Sequence, residues 1–182
     1  LPPPLDGQRL ADITREQRCD ELEFCYPLAS LTADALKALL AQHRFGHGSL
    51  ANDWVERLQF ETAEGYLHGF IDLVFESKGR YFVVDYKSND LGPRDEDYAP
   101  ERLLATMVQE HYLLQYLIYT LAVHRYLRLR LPDYDYEQHF GGVYYLFLRG
   151  MNPVSEERKS VRQGKSVELG GPRIMYRKKH RL

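Results

Sequence analysis

The chain has 182 residues, with 24 Lys+Arg against 26 Asp+Glu, 44% apolar and 13% aromatic residues, and a mean hydropathy of −0.48. That length suits one domain with a sizeable core, and the aromatic content excludes general disorder. No apolar run approaches the roughly 18 residues of a spanning helix, and residues 1–30 carry no basic-then-apolar signal pattern, so the expectation is a soluble, cytoplasmic protein without membrane contact.

Residues 1–9, with Pro2, Pro3 and Pro4, read as an extended segment. Glu21 to Pro27 (ELEFCYP) is rich in strand formers. Thr32 is placed to cap a helix from Ala33 to His43, whose Leu36, Leu39 and Leu40 follow helical spacing, and Gly46 and Gly48 end it. Residues 47–63 are ambiguous, with a short helix around Trp54. Gly65–Phe75 and Tyr81–Lys87 are two β-rich runs around Lys78-Gly79, which predicts a hairpin. A turn centred there sets Ser77 opposite Arg80 and Asp72 opposite Asp85. After a polar loop from Asn89 to Pro100, Glu101 to Leu129 reads as one long helix without internal Gly or Pro, closed by Pro132. Asp133–Gly142 is expected as loop and Val143–Leu148 as a strand buried on both faces. The element order is that of an α/β or α+β fold.

Beyond Gly150 the texture turns polar and basic with no evident period. From Glu156 to Leu182 nine Lys/Arg stand against three Asp/Glu, a net of +6, which leaves −8 for the rest of the chain. A basic terminus can touch nucleic acid, but is more often a solvated end. The two cysteines, Cys19 and Cys25, cannot build a four-thiolate zinc or iron–sulfur site and read as ordinary packing residues.

The hairpin is where chemistry concentrates. Opposed strand residues hold their Cβ atoms about 5 Å apart, so two facing carboxylates in apolar strands are costly unless a cation lies between them. Oxygen donors at this separation suit Mg²⁺, which keeps several waters and takes one or two carboxylates plus substrate phosphate. Lys87 follows Asp85 by two and leaves the same face, where an ammonium can orient an attacking water or offset phosphate charge. The alternative on spacing alone is a buried Asp–Lys pair beside an aspartate satisfied by backbone N–H groups. His68 lies about 13 Å along the strand from Asp72, outside one coordination shell, and suits a local hydrogen bond. Gln115 and Tyr119 are one helical turn apart; they can hold a phosphate or metal-bound water, or be a surface Gln beside a core Tyr. His111 and Tyr126 extend roughly the same stripe.

Gly69-Phe70-Ile71-Asp72-Leu73-Val74-Phe75, Asp85-Tyr86-Lys87-Ser88-Asn89 and Gln115-x-x-x-Tyr119, in that order, resemble the C-terminal nuclease domain of the RecB family, the β subunits of RecBCD helicase–nucleases (exodeoxyribonuclease V). The likeness extends through Tyr119–Leu127 and Gly141–Gly150. It implies a restriction-endonuclease-like PD-(D/E)xK fold, with a mixed sheet flanked by helices, that cuts DNA with Mg²⁺. On that reading Asp72 and Asp85 are metal ligands, Tyr86 adds its backbone carbonyl, Lys87 is the catalytic lysine, and Gln115 and Tyr119 act with them. The implied partners are single- and double-stranded DNA ends, RecC- and RecD-like subunits and RecA.

The family's upstream metal-ligand histidine, in a Gly-Thr-x-x-His-like context, has no counterpart before Asp72; His43 and His47 lack that context. No GxxxxGK[ST] motor motif is present, and the segment after Gly150 departs from the family. The expectation is therefore an N-terminally truncated nuclease domain: an incomplete flanking part over 1–64, a nuclease core over 65–150 and a divergent basic tail over 151–182. The competing reading is a catalytically inactive module of the same fold that binds protein or DNA. Iron–sulfur nucleases of related fold are disfavoured by the shortage of cysteines.

Overall fold

The computed structural model describes residues 9–42, 51–151 and 166–169. The expected helix stop at Gly46 and Gly48, His43 and His47, and most of the basic tail lie outside these residues. Strand β1 (Arg18–Leu31) runs antiparallel to β2 (Ala63–Ser77). It is twice the length that strand formers alone suggest, because pairing with the long β2 recruits the residues on either side of ELEFCYP. Leu22 and Tyr26 point into the core, whereas Cys19 and Cys25, at odd positions, are exposed free thiols. The expectation that they pack is thus corrected by the two-residue alternation of the strand.

At the end of β2, Lys78 and Gly79 both take positive φ (53° and 77°). This is the two-residue hairpin geometry whose twist suits the flanking strands. Strand β3 (Arg80–Lys87) returns with Ser77 opposite Arg80 and keeps that register as far as Leu73 opposite Val84. Strand β4 (Phe140–Phe147) lies parallel to β3, and β5 (Ser166–Leu169) antiparallel to β4. The result is a five-stranded mixed sheet in the order β1-β2-β3-β4-β5.

Helix α1 (Ala33–Gln42) begins as expected, with Thr32 Oγ1 accepting from the Ala35 N–H at 3.1 Å. Helix α2 (Ala51–Glu56) buries Trp54 almost completely. The single long helix expected after the loop is instead two, α3 (Pro100–Gln109) and α4 (Tyr112–Arg130). Between them His111 adopts a left-handed φ of 56°. The Glu110 N–H closes α3 on the Thr106 carbonyl (2.9 Å), and the His111 carbonyl opens α4 by accepting from Leu114 (3.0 Å) and Gln115 (3.3 Å). Neither Glu110 nor His111 is a helix breaker, so the break comes from packing rather than propensity.

In the stretch expected as loop, Tyr136–His139 forms one helical turn, α5, capped by Asp135 Oδ1 on the Gln138 N–H (3.0 Å). Strand β4 starts three residues earlier than expected, at Phe140, because its pairing with β3 shifts between Tyr81–Phe140 and Phe82–Gly142. That bulge uses glycine twice: Gly142 has a φ of 134°, and a Cβ on Gly141 would collide with the Phe82 ring. Val143, Tyr144, Tyr145 and Phe147 are all buried, as expected for a strand covered on both faces.

Among the described residues two clusters form the core. The larger packs Trp54, Leu103, Met107, Tyr116, Val123 and Leu127 of the helices against Ile71, Val74, Val83, Val143, Tyr145 and Phe147 of the sheet. The smaller joins Ile13, Leu73, Phe75, Phe82, Val84 and Tyr144. Along β2 the odd residues change sides: Leu67 and Ile71 join the larger cluster, but Leu73 and Phe75 join the smaller. The change falls at Asp72, which is skipped in the ladders on both sides and lies across from Glu21, itself at a positive φ of 54°.

Candidate active site

Asp85 and Lys87 are two apart on β3, so both side chains leave the same face; they are 3% and 8% exposed. Lys87 Nζ lies 2.5 Å from Asp85 Oδ2. It also donates to Gln115 Oε1 at 2.8 Å. Gln115 Nε2 donates in turn to the Tyr119 hydroxyl (2.9 Å), and that hydroxyl donates to the Phe70 carbonyl of β2 (2.9 Å). One chain of contacts therefore joins β3, α4 and β2. It also fixes which way the Gln115 amide faces, because Tyr119 holds its nitrogen end and Lys87 its oxygen end.

Asp72 completes the group in a way the hairpin register alone does not show. The ladder stops at Leu73–Val84, and Asp72 Oδ2 accepts from the Tyr86 backbone N–H at 2.8 Å. The carboxylate thus stands where the next backbone carbonyl would have bonded, as β2 and β3 part. It remains close enough for its charge to disfavour ionisation of Asp85 and Tyr119. Asp85 is lifted above the usual carboxylate range mainly by burial, with Lys87 opposing the shift. The Tyr119 hydroxyl is pushed up to about 12, by burial first and then by the Asp85 charge.

All five expected side chains, Asp72, Asp85, Lys87, Gln115 and Tyr119, are therefore drawn together at the end of β3. The Tyr86 ring is partly exposed and its N–H is held by Asp72. His68 makes the local contact expected of it, Nε2 to Glu23 Oε1 at 2.8 Å. His111 is exposed at the start of α4, and Tyr126 pairs with Arg130, whose guanidinium lies 3.8 Å from its ring centroid. In place of His111 the stripe contributes Tyr112, whose ring centroid is 3.7 Å from Lys87 Nζ. Tyr112, Gln115 and Tyr119 follow i, i+3, i+7 spacing, and that periodicity would have picked out Tyr112 from the sequence.

The donor set suits a hard divalent cation. Asp85 and Asp72 offer carboxylate oxygens from adjacent strands, and Asp85 Oδ2 is buried with a charged neighbour but no aligned hydrogen-bond donor. Mg²⁺ takes few protein oxygens and completes its shell with water and phosphate. Among the described residues no three His, Cys, Asp or Glu side chains converge as a metal cage.

Comparison with known proteins agrees with this fold. Residues 6–173 match the PD-(D/E)XK nuclease superfamily. The chain is 44% identical over 147 residues to the RecBCD enzyme subunit RecB of Escherichia coli K12, and 45% identical over 148 residues to that of Haemophilus influenzae Rd. Each match takes in 80% of this chain and 12% of the relative. The RecB subunit of Mycobacterium tuberculosis H37Rv is 39% identical over 166 residues, 83% of this chain and 15% of that protein. The chain thus spans about an eighth of the length of the first two relatives. With the fold, the strand-borne Asp-x-Lys and the extended match all in agreement, the chain belongs to the PD-(D/E)XK nuclease superfamily.

Proposed function

We propose that the chain is a Mg²⁺-dependent nuclease module that hydrolyses DNA phosphodiesters, working as part of a RecBCD-type helicase–nuclease with RecC- and RecD-like subunits. The observation that carries this reading is the buried Asp85–Lys87 pair on β3, tied to Gln115 and Tyr119 and flanked by Asp72. Burying such charges in a strand is costly, and hydrophobic residues of similar volume would be as stable or more so. Their convergence makes sense as a reaction site.

In this assignment Asp72 and Asp85 hold the cation, with the Tyr86 carbonyl as a third oxygen. When bound, Mg²⁺ polarises the phosphate and acidifies a water. Lys87 places a fixed positive charge beside Asp85, where negative charge develops on the phosphate oxygens as the P–O bond breaks. Gln115 and Tyr119 limit where that ammonium can go, by occupying one of its three donors and anchoring the amide to β2. The reactive core falls within 65–150. The body outside the basic segment has a net charge of −8, so DNA affinity rests on few cationic contacts and on partner subunits that feed the strand.

A second reading, a non-catalytic DNA- or protein-binding module, draws on the absence of a three-residue metal cage among the described residues. One experiment separates the two. Mg²⁺ is titrated into the folded chain with a labelled single-stranded DNA, beside Asp85→Ala, and binding of the metal is followed by calorimetry. Cleavage that requires Mg²⁺ and disappears in the variant supports the nuclease. Metal-independent inertness of a chain shown folded by circular dichroism supports the binding module.

A further inference from the structure

The Lys87 ammonium has a third neighbour besides Asp85 and Gln115. The Tyr112 ring centroid lies 3.7 Å from Nζ, well inside the distance at which an aromatic face attracts a cation, and the Tyr145 ring lies behind at 5.3 Å. Tyr112 is itself held on three sides. Its hydroxyl donates to Asn89 Oδ1 (3.0 Å), two residues after Lys87. Its ring stacks on Tyr145 with centroids 6.0 Å apart and planes 13° from parallel. Its carbonyl accepts from the Tyr145 hydroxyl at 3.1 Å.

We infer that Tyr112 is a positioning residue for Lys87: its ring, locked by Asn89 and Tyr145, forms the wall that aims the ammonium at the reaction centre. A lysine stem has four rotatable carbons and no planar fork to pre-orient it. Asp85 and Gln115 restrain Nζ from the β3 and α4 sides, and the Tyr112 ring, the nearer of two aromatic neighbours, packs against it from a third. The break at His111 serves this arrangement, since it makes Tyr112 the first residue of α4, beside Lys87 and one turn before Gln115. The inference rests on the proposed nuclease reading for its catalytic consequence, but not for its geometry.

The test compares Tyr112→Leu and Tyr112→Phe by two readouts. In lysine-labelled protein, with Lys87 assigned by the loss of its signal in Lys87→Arg, the ε-methylene resonance is shifted upfield by the ring. Tyr112→Leu returns it to the position of an exposed lysine, and Tyr112→Phe keeps it. In Mg²⁺-dependent cleavage, Tyr112→Leu lowers kcat roughly tenfold while KM stays within about twofold, and Tyr112→Phe recovers most of kcat. A folded Tyr112→Leu protein with wild-type kcat overturns the inference, as does a Lys87 resonance that is unshifted in the wild type. If the wild type shows no Asp85-dependent cleavage, the nuclease reading fails, and the resonance alone decides whether the ring holds the lysine. Should Tyr112→Leu not fold, Tyr112→Phe decides: its ring, still stacked on Tyr145, is expected to keep the upfield Lys87 shift, and an unshifted resonance there overturns the claim.

Discussion

Tyr119→Phe removes one oxygen and leaves the ring, so it creates no large cavity and isolates the hydroxyl's role. That hydroxyl accepts from Gln115 Nε2 and donates to the Phe70 carbonyl, both at 2.9 Å. Each bond contributes about 0.5–1.5 kcal/mol net, so the variant should be less stable by about 1–3 kcal/mol. For a chain of this size that lowers Tm by roughly 2–12 °C. The freed Gln115 amide no longer fixes Lys87, and kcat should fall about tenfold for each 1.4 kcal/mol of lost positioning, with KM little changed. Because Tyr119 is pushed up to about 12, its hydroxyl stays protonated across the usual assay range. Its raised value favours the folded state below the unfolded value of about 10, and that contribution disappears only as pH rises through about 12. The ratio of wild-type to variant kcat should therefore be flat between about pH 6 and about pH 9. Single-turnover cleavage across that range, with a Gln115→Ala cycle to measure coupling, provides the assay. A limb of the wild-type profile that vanishes in Tyr119→Phe would refute the reasoning, since it would make the ionised phenol a participant. So would strict additivity with Gln115→Ala.

Gly141→Ala drives a methyl into the Phe82 ring, which stacks on Phe75 with centroids 5.1 Å apart in the smaller core cluster. Overpacking of this kind costs about 1–3 kcal/mol, and thermal denaturation should show the loss; an unchanged Tm would mean that the β4 bulge yields freely. Asp97, buried and bonded to Arg94 and Arg102, has its carboxyl held below its ordinary pKa chiefly by the Arg94 side chain. A depressed carboxylate supports the fold above its unfolded value of about 3.9 and withdraws that support as pH falls through the folded value. Melting temperatures measured between about pH 5 and about pH 3 should thus fall more steeply for the wild type than for Asp97→Asn. Parallel slopes would remove Asp97 from the account of acid lability.

What the sequence discloses about this fold is mostly local. Lys78-Gly79 specifies its own turn, and the turn specifies the register that carries Asp85 toward Asp72. Thr32 caps α1 by a bond within three residues. The features that escape are settled by distant partners. The α3–α4 break sits at Glu110-His111, where no residue forbids a helix, and strand β5 exists because β4 offers it an edge. Strand β1 owes its length to β2. The candidate site divides the same way: Asp85 and Lys87 stand out by their spacing on one strand, Gln115 and Tyr119 stand out only through the family resemblance, and the contact of Tyr112 with Lys87 depends on how α4 lies on β3.

The exchange of sides at Asp72 makes β2 two strands in phase opposition, joined at a residue that neither ladder claims. Sequence length on either side of that joint is consequently constrained. Losing or gaining one residue between Leu67 and Ile71 would turn the first half inside out while leaving Leu73 and Phe75 in place, and the reverse holds for a change beyond Asp72. The aspartate marks the point on β2 at which the chain changes step, so the residue proposed as a metal ligand also indexes the sheet. Natural variation in the length of this protein should therefore collect in the connections and spare the fifteen residues of β2.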